Sequence, residues 1–245
     1  MGLESLFIGT SGWVYPHWRG RFYPRDLPQS CWFEFYTQHF SSVEINNTFY
    51  QLPALSTFRA WSRQAPADFR YAVKGNRFIT HIKRLKETEG PVKKFLTRVR
   101  LLGPTLGPLL WQLPPRWPPQ PSRLEEFVKI LPANLTHIFE FRDERWVAED
   151  VFGILERRRM GFCIFSHPSL DCPLRTTAPA VYLRFHGSTA LYAGRYSREE
   201  LRRWAERIVA YLHQDREVYV YFNNDAQANA IFNAQELREA VEGLL

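Results

Sequence analysis

With 245 residues, 45% of them hydrophobic and 16% aromatic, the chain can bury one large core or two small ones, and its composition excludes intrinsic disorder. No apolar run approaches the roughly 18 residues that a membrane helix needs, and residues 1–10 lack the basic and apolar regions of a secretory leader. A net charge of +7 and a pI of about 9.4 suit nucleic acid or phosphorylated ligands, and equally a solvated basic surface, since Arg157, Arg158, Arg159, Arg202 and Arg203 fall on outer helix faces. Three cysteines, Cys31, Cys163 and Cys172, are odd in number and form no Cys-x-x-Cys pair, which predicts reduced thiols and a cytoplasmic location.

The first strand is read over Leu6–Thr10 and is followed by an aromatic loop carrying Trp13, Tyr15, His17 and Trp18. Ser30 opens a helix with Trp32, Phe35 and Tyr36 on one side. Residues 42–46 form the second strand, and a loop with Thr48, Phe49 and Tyr50 leads to a short helix from about Ser56. The third strand is Arg70–Lys74. Pro91 is expected at a first helical position, ahead of Val92, Phe95, Leu96, Val99 and Leu102 at helical spacing. Residues 108–112 make the fourth strand, and residues 114–121 a stiff proline-rich connection. Ser122 with Glu125 has the spacing of a capping box.

The fifth strand, residues 137–142, alternates: Phe139 and Phe141 face one way, Glu140 and Arg142 the other. Gly161 to Phe165 is the sixth strand, after which Pro168, Pro173 and Pro179 replace any helical period. Val181–Phe185 is the seventh. Ser197 and Glu200 predict a second capping box, before a helix with Leu201, Ala205, Ile208 and Leu212. Val218–Phe222 is the eighth strand, and Ala230, Ala234, Leu237 and Val241 mark the last helix. Strict β–α alternation predicts an α/β protein with parallel strands. Eight such units in a chain of 245 residues predict a single TIM-type (β/α)8 barrel domain over residues 1–245 rather than an open doubly wound sheet. The Gly-x-Gly-x-x-Gly of a dinucleotide fold is absent after the first strand.

The strand faces define a candidate site. Residues of one parity are polar at the C-terminal strand ends: Glu44 and Asn46, Lys74, Gln112, Glu140 and Arg142, Arg184 and His186, and Asn223. Charges placed there are costly to desolvate unless paired or used, and barrel active sites sit at that end. This predicts a ligand mouth in which Lys74, Arg142 and Arg184 bind negative charge. Glu140 or Glu44 would be a general acid or base, and His186 a second proton-transfer group. Asn224 and Asp225 extend the set, either as hydrogen-bonding groups or as caps of the last helix. The plainer alternative is an internal ion-pair network, Glu140 with Arg184 and Glu44 with Lys74, closing the barrel; six strands with polar ends are more than such a plug requires. Trp13, Tyr15, Tyr50, Trp146 and Tyr192 follow strands on the same rim and suit stacking on a sugar or base, although for any one of them loop packing is the simpler account. No clustered histidines appear, so neither a metal nor another cofactor is expected.

Several stretches resemble the YecE-like family, domain of unknown function 72. They are Gly9-Thr-Ser-Gly-Trp13 with Tyr15, Trp18 and Phe22-Tyr-Pro24; Val43-Glu-Ile-Asn46 with Thr48-Phe-Tyr50; Lys74 with Thr80-His81; Gln112-Leu-Pro114; Glu140-Phe-Arg142 with Trp146; Arg184-Phe-His-Gly187; and Tyr221-Phe-Asn-Asn-Asp225. The resemblance covers nearly the whole chain. It implies a TIM-type barrel related to the xylose isomerase and endonuclease IV group and supplies no established reaction. Members often carry an acidic residue near the sixth strand end, where this chain has Ser166-His167-Pro168; that departure speaks against chemistry needing an extra carboxylate or metal ligand at that corner. The expected function is therefore binding or processing of a small anionic, phosphate-containing ligand, with no membrane partner. The alternatives are a nucleic-acid binding or processing protein and a non-catalytic metabolite sensor or scaffold.

Overall fold

The computed structural model describes residues 2–245. In chain order it contains β1 (Leu6–Thr10), α1 (Trp32–Thr37), β2 (Ser42–Ile45), α2 (Asn47–Tyr50), α3 (Leu55–Gln64), β3 (Arg70–Lys74), α4 (Glu89–Val99), β4 (Leu106–Gln112) and α5 (Pro121–Lys129). It continues through β5 (His137–Glu140), α6 (Glu149–Arg157), β6 (Gly161–Ser166), β7 (Val181–Phe185), α7 (Arg198–Leu212), β8 (Val218–Phe222) and α8 (Asn229–Glu242). The strand order is β1-β8-β7-β6-β5-β4-β3-β2, and an isolated parallel bridge runs from Ser11 to Glu44. With parallel pairing and a helix after every strand except β6, which leads to β7 without one, this is the connectivity of a TIM-type barrel. No helix among the described residues is long and apolar enough to cross a membrane.

The chain divides into two contact-dense units. One comprises the residues up to Glu44 with 164–172 and 180–245. In it β8 pairs with both β1 and β7, aligning Arg184 with Tyr221 and Gly9 with Tyr221. Val181, Leu183 and Phe185 alternate with Tyr182 and Arg184, so one face is apolar and the other polar. On the apolar side Phe185 meets Trp204 of α7 edge-on at 5.1 Å and stacks on Phe222 at 4.5 Å. Gly9 is required by a close approach: a Cβ there would stand 2.0 Å from the Ser42 carbonyl oxygen and 2.9 Å from the Tyr36 hydroxyl. The Ser197 capping box forms as expected, with Glu200 N–H donating to Ser197 Oγ at 3.2 Å and Ser197 N–H to Glu200 Oε2 at 2.8 Å.

The other unit, residues 45–163 and 173–179, holds β3, β4, β5 and the start of β6. Its pairings align Lys74 with Leu110, Gln112 with Glu140 and Phe139 with Phe162. Trp111 packs between Phe95 of α4 and Phe127 of α5, with ring centroids 5.4 and 5.2 Å away.

The departures from expectation are local. Residues 47–50 form a short helix rather than a loop, and Phe78–Ile82 form a π-helix. Pro91 is the third residue of α4, still in the first turn, where its missing N–H has no intrahelical partner to lose. Pro121 takes the first turn of α5, so Ser122 lies inside the helix and caps nothing. Cys31, Cys163 and Cys172 are free thiols.

Candidate functional site

In the unit of β3, β4 and β5, three consecutive strands end on polar residues: Lys74, Gln112 and Glu140. The register places Gln112 beside Glu140, and the Leu113 N–H donates to the Glu140 carbonyl at 2.8 Å. The Glu140 side chain is wholly buried and forms an ion pair with Arg142, which is itself nearly buried. Lys74 extends over Phe49 of α2, its Nζ 4.3 Å from the ring centroid. The short helix α2 is fixed to β3 by Thr48, whose hydroxyl donates to the Lys74 carbonyl at 2.6 Å. Asn46 precedes α2, and its Oδ1 is buried with no hydrogen-bond partner.

Beyond β3, Asn76 donates to the Thr48 carbonyl at 2.8 Å and accepts from the Phe78 N–H at 3.0 Å, which starts the π-helix. Single π turns are frequent at functional sites. Here the turn brings Thr80 Oγ1 to 2.9 Å from His81 Nδ1 and the His81 ring edge-on to Phe49 at 4.9 Å. Burial lowers the His81 pKa to about 4, and the positive charges of Lys74, Arg77 and Arg142 push it the same way, against Glu140. At neutral pH the imidazole is uncharged, and three cations outnumber the one carboxylate acting on it.

In the unit of β1, β7 and β8, Glu44 is enclosed. Its Oε1 accepts from Ser11 Oγ at 2.7 Å and Arg184 Nη2 at 2.6 Å, and its Oε2 accepts from the Tyr182 hydroxyl at 2.6 Å. All four residues are buried. Burial, and then the Glu44 charge, raise the Tyr182 phenol well above its usual range, so it remains a donor. The Tyr221 phenol is likewise raised by burial and lies 2.6 Å from Ser42 Oγ. Glu44, expected as an acid or base facing a ligand, has both oxygens taken by donors and no exposed surface.

His186 is also wholly buried, with Nδ1 3.4 Å from Asn223 Nδ2 and its ring against Phe165 and Tyr192. Asn224 donates to the Gly194 carbonyl at 2.8 Å and to Asn233 Oδ1 at 3.1 Å, a role in loop support. The Asp225 carbonyl accepts from Trp18 Nε1 at 3.1 Å, and its carboxyl, with its pKa raised by burial, lies 3.8 Å from His17 Nε2. Neither Asn224 nor Asp225 caps the last helix: the N-cap of α8 is Ala228, in the left-handed region, with no side-chain cap. Among the described residues no group of three or more His, Cys, Asp or Glu converges as a metal site.

Residues 7–244 match the family model described as "Protein of unknown function DUF72". The chain belongs to the DUF72 family. It is 32% identical over 145 residues to UPF0759 protein YecE of Escherichia coli strain K12, a match covering 59% of this chain and 51% of that relative; the chain thus spans about half the length of the E. coli relative. UPF0759 protein YunF of Bacillus subtilis is 22% identical over 97% of this chain and 95% of its own length. The crystal structure of a DUF72 family protein from Thermotoga maritima superposes with a TM-score of 0.87 at 29% identity, covering 97% of this chain and 99% of the other.

In this DUF72 chain the five rim aromatics divide by exposure. Trp146 is wholly buried: its Nε1 donates to the Trp117 carbonyl at 2.7 Å and its ring lies parallel to Phe141 at 5.3 Å, so it packs the loop and offers no open face. Trp13 is buried against Phe33, and Tyr15, half-buried, donates to the Ser11 carbonyl at 2.6 Å. Tyr50 and Tyr192 keep open rings, at 71% and 44% exposure. His81, Arg77 and Phe49 lie in connections rather than on strands, so alternation along a strand does not reach them. The signal for His81 was present in the family resemblance, which joins Lys74 to Thr80-His81; the π-helix that turns it toward Phe49 has no sequence period to read.

Proposed function

We propose that this DUF72 protein binds a small anionic, phosphate-containing ligand at the C-terminal ends of β3 and β5. Lys74 and Arg142 supply the charge, and His81 supplies a neutral imidazole able to hydrogen-bond a phosphate oxygen. Gln112 and Asn46 supply amide groups. The observation that carries this reading is the half-buried His81, on which Lys74, Arg77 and Arg142 act against the single carboxylate of Glu140. Cations gathered on a low-dielectric, uncharged group favour a negatively charged guest. Glu140 serves by orienting Arg142, because its side chain is wholly buried and ion-paired. The Glu44–Arg184–Tyr182 cluster serves the fold.

Calorimetric titration with inorganic phosphate tests the proposal. Saturable one-site binding, weakened at least about tenfold in Lys74→Ala, is expected, since one charge-assisted contact is worth about 1.5–3 kcal/mol. Absence of binding, or binding indifferent to Lys74→Ala, rejects it.

A further inference from the structure

Beside the proposed anion site lies a second feature that the strand ends do not explain. A cleft of about 530 Å³ opens between α2, the π-helix and the start of α4, lined by Tyr50, Asn76, Phe78, Gly90, Lys94 and Arg98 among others. That volume is in the range of small-molecule sites. Its walls carry two exposed aromatic rings, Tyr50 at 71% and Phe78 at 42% exposure. The Gln51 amide and the exposed Lys94 add polar groups, whereas the Asn76 amide is already tied to the Thr48 carbonyl and the Phe78 N–H. On the α4 side Gly90 leaves the wall open, since a Cβ there would meet nothing within 4 Å.

The cleft is built from the same two short helices as the anion site. Helix α2 carries Phe49, under Lys74, and Tyr50, whose ring meets Phe49 edge-on at 5.1 Å. The π-helix carries both Phe78 and His81. Phe49 joins the two, its ring 4.3 Å from Lys74 Nζ on one side and 5.1 Å from the Tyr50 ring on the other, so a ligand held at Lys74 has the Tyr50 wall of the cleft within short reach. Two open rings with an amide beside them suit stacking on a flat, hydrogen-bonding heterocycle.

We infer that this cleft receives a nucleobase, so that the ligand class is a nucleotide whose phosphate lies at Lys74. The inference rests on the anion-binding reading above, and the same calorimetry separates the two. Inorganic phosphate, ribose 5-phosphate, AMP and a short single-stranded oligoadenylate are titrated into the wild-type chain, Tyr50→Ala, Phe78→Ala and Lys74→Ala. AMP is expected to bind about tenfold or more tightly than ribose 5-phosphate, the scale of one base stacked on an aromatic ring. Tyr50→Ala and Phe78→Ala are expected to bring that ratio close to one, whereas Lys74→Ala weakens every ligand. Both rings are exposed, and circular dichroism melts confirm that the variants fold. Oligoadenylate binding tighter than AMP with a steep salt dependence identifies single-stranded nucleic acid as the source of the nucleotide; equal or weaker binding identifies a free mononucleotide. AMP binding no tighter than ribose 5-phosphate, or a ratio that survives both alanine variants, overturns the inference while phosphate binding keeps the anion site. Loss of phosphate binding in the wild type removes the anion site itself.

Discussion

Arg184 Nη2 donates to Glu44 Oε1 across 2.6 Å, and neither side chain has any exposed surface. The two lie 140 residues apart in sequence. Removing one member of such a pair leaves the other charge buried without compensation, which costs about 3–5 kcal/mol, whereas replacing both by apolar groups of similar volume is close to neutral. Arg184→Met and Glu44→Leu are each expected to lower the unfolding free energy obtained from guanidinium melts by that amount, and the double variant to recover most of it. Single variants that keep full stability but lose phosphate binding would instead move this pair into the ligand site.

His137 opens the fifth strand and reports on the core. Trp111 Nε1–H donates to His137 Nδ1 at 3.1 Å, and His137 Nε2 lies 3.1 Å from the Pro132 carbonyl. An indole N–H only donates and a carbonyl only accepts, so the ring is the neutral Nε2–H tautomer. Burial lowers its pKa to about 4; the Pro132 bond opposes this and Arg100 adds to it. The unfolded chain, with an ordinary imidazole, binds more protons between pH 4 and about 6.5. The contribution is therefore complete above pH 6.5 and lost as pH falls toward 4, on the order of 3 kcal/mol. Nitrogen-15 shifts of the ring check the tautomer. Urea melts at pH 7 and pH 4.5 check the linkage, and the difference between them is expected to shrink in His137→Gln.

The order of elements was legible because each strand shows a helix-facing apolar parity and each long helix a 3.6-residue stripe. Leu6–Thr10, Arg70–Lys74, Val181–Phe185 and Val218–Phe222 begin and end where pattern alone put them. What escaped is short or tertiary. Helix α2 and the π-helix are four and five residues long, too short for any period. Strand faces gave Glu44 and Arg184 the same polar parity but not their contact, since a pattern along one strand says nothing of which distant strand supplies the partner. Trp146 read as a rim aromatic for the same reason: its burial depends on the Trp117 carbonyl, 29 residues away.

Ser122 and Ser197 have the same capping spacing and different fates. The Ser197 hydroxyl accepts from the Glu200 N–H at 3.2 Å, while Ser122 stands behind Pro121, which already fills the first turn of α5. Ser197→Ala is expected to cost about 1 kcal/mol and Ser122→Ala close to nothing, because only the former leaves a helix N–H unsatisfied. Thermal melts of the two variants side by side decide it; equal losses would contradict the cap assignment.

The His81 imidazole gives the most direct readout of an anion. In the free protein burial and the charges of Lys74, Arg77 and Arg142 hold its pKa at about 4. A bound anion beside it offsets those cations and stabilises the imidazolium, so the pKa must rise on binding. By linkage, binding then takes up protons, and affinity increases as pH falls from the bound-state pKa toward 4. Sulfate is the suitable probe because it does not itself titrate in this window. Proton and nitrogen NMR titrations of His81 with and without sulfate are expected to show the upward shift, and Lys74→Ala to raise the free-state value while weakening sulfate. A His81 resonance whose titration is identical at saturating sulfate would remove the anion from β3 and return Lys74, His81 and Arg142 to the fold.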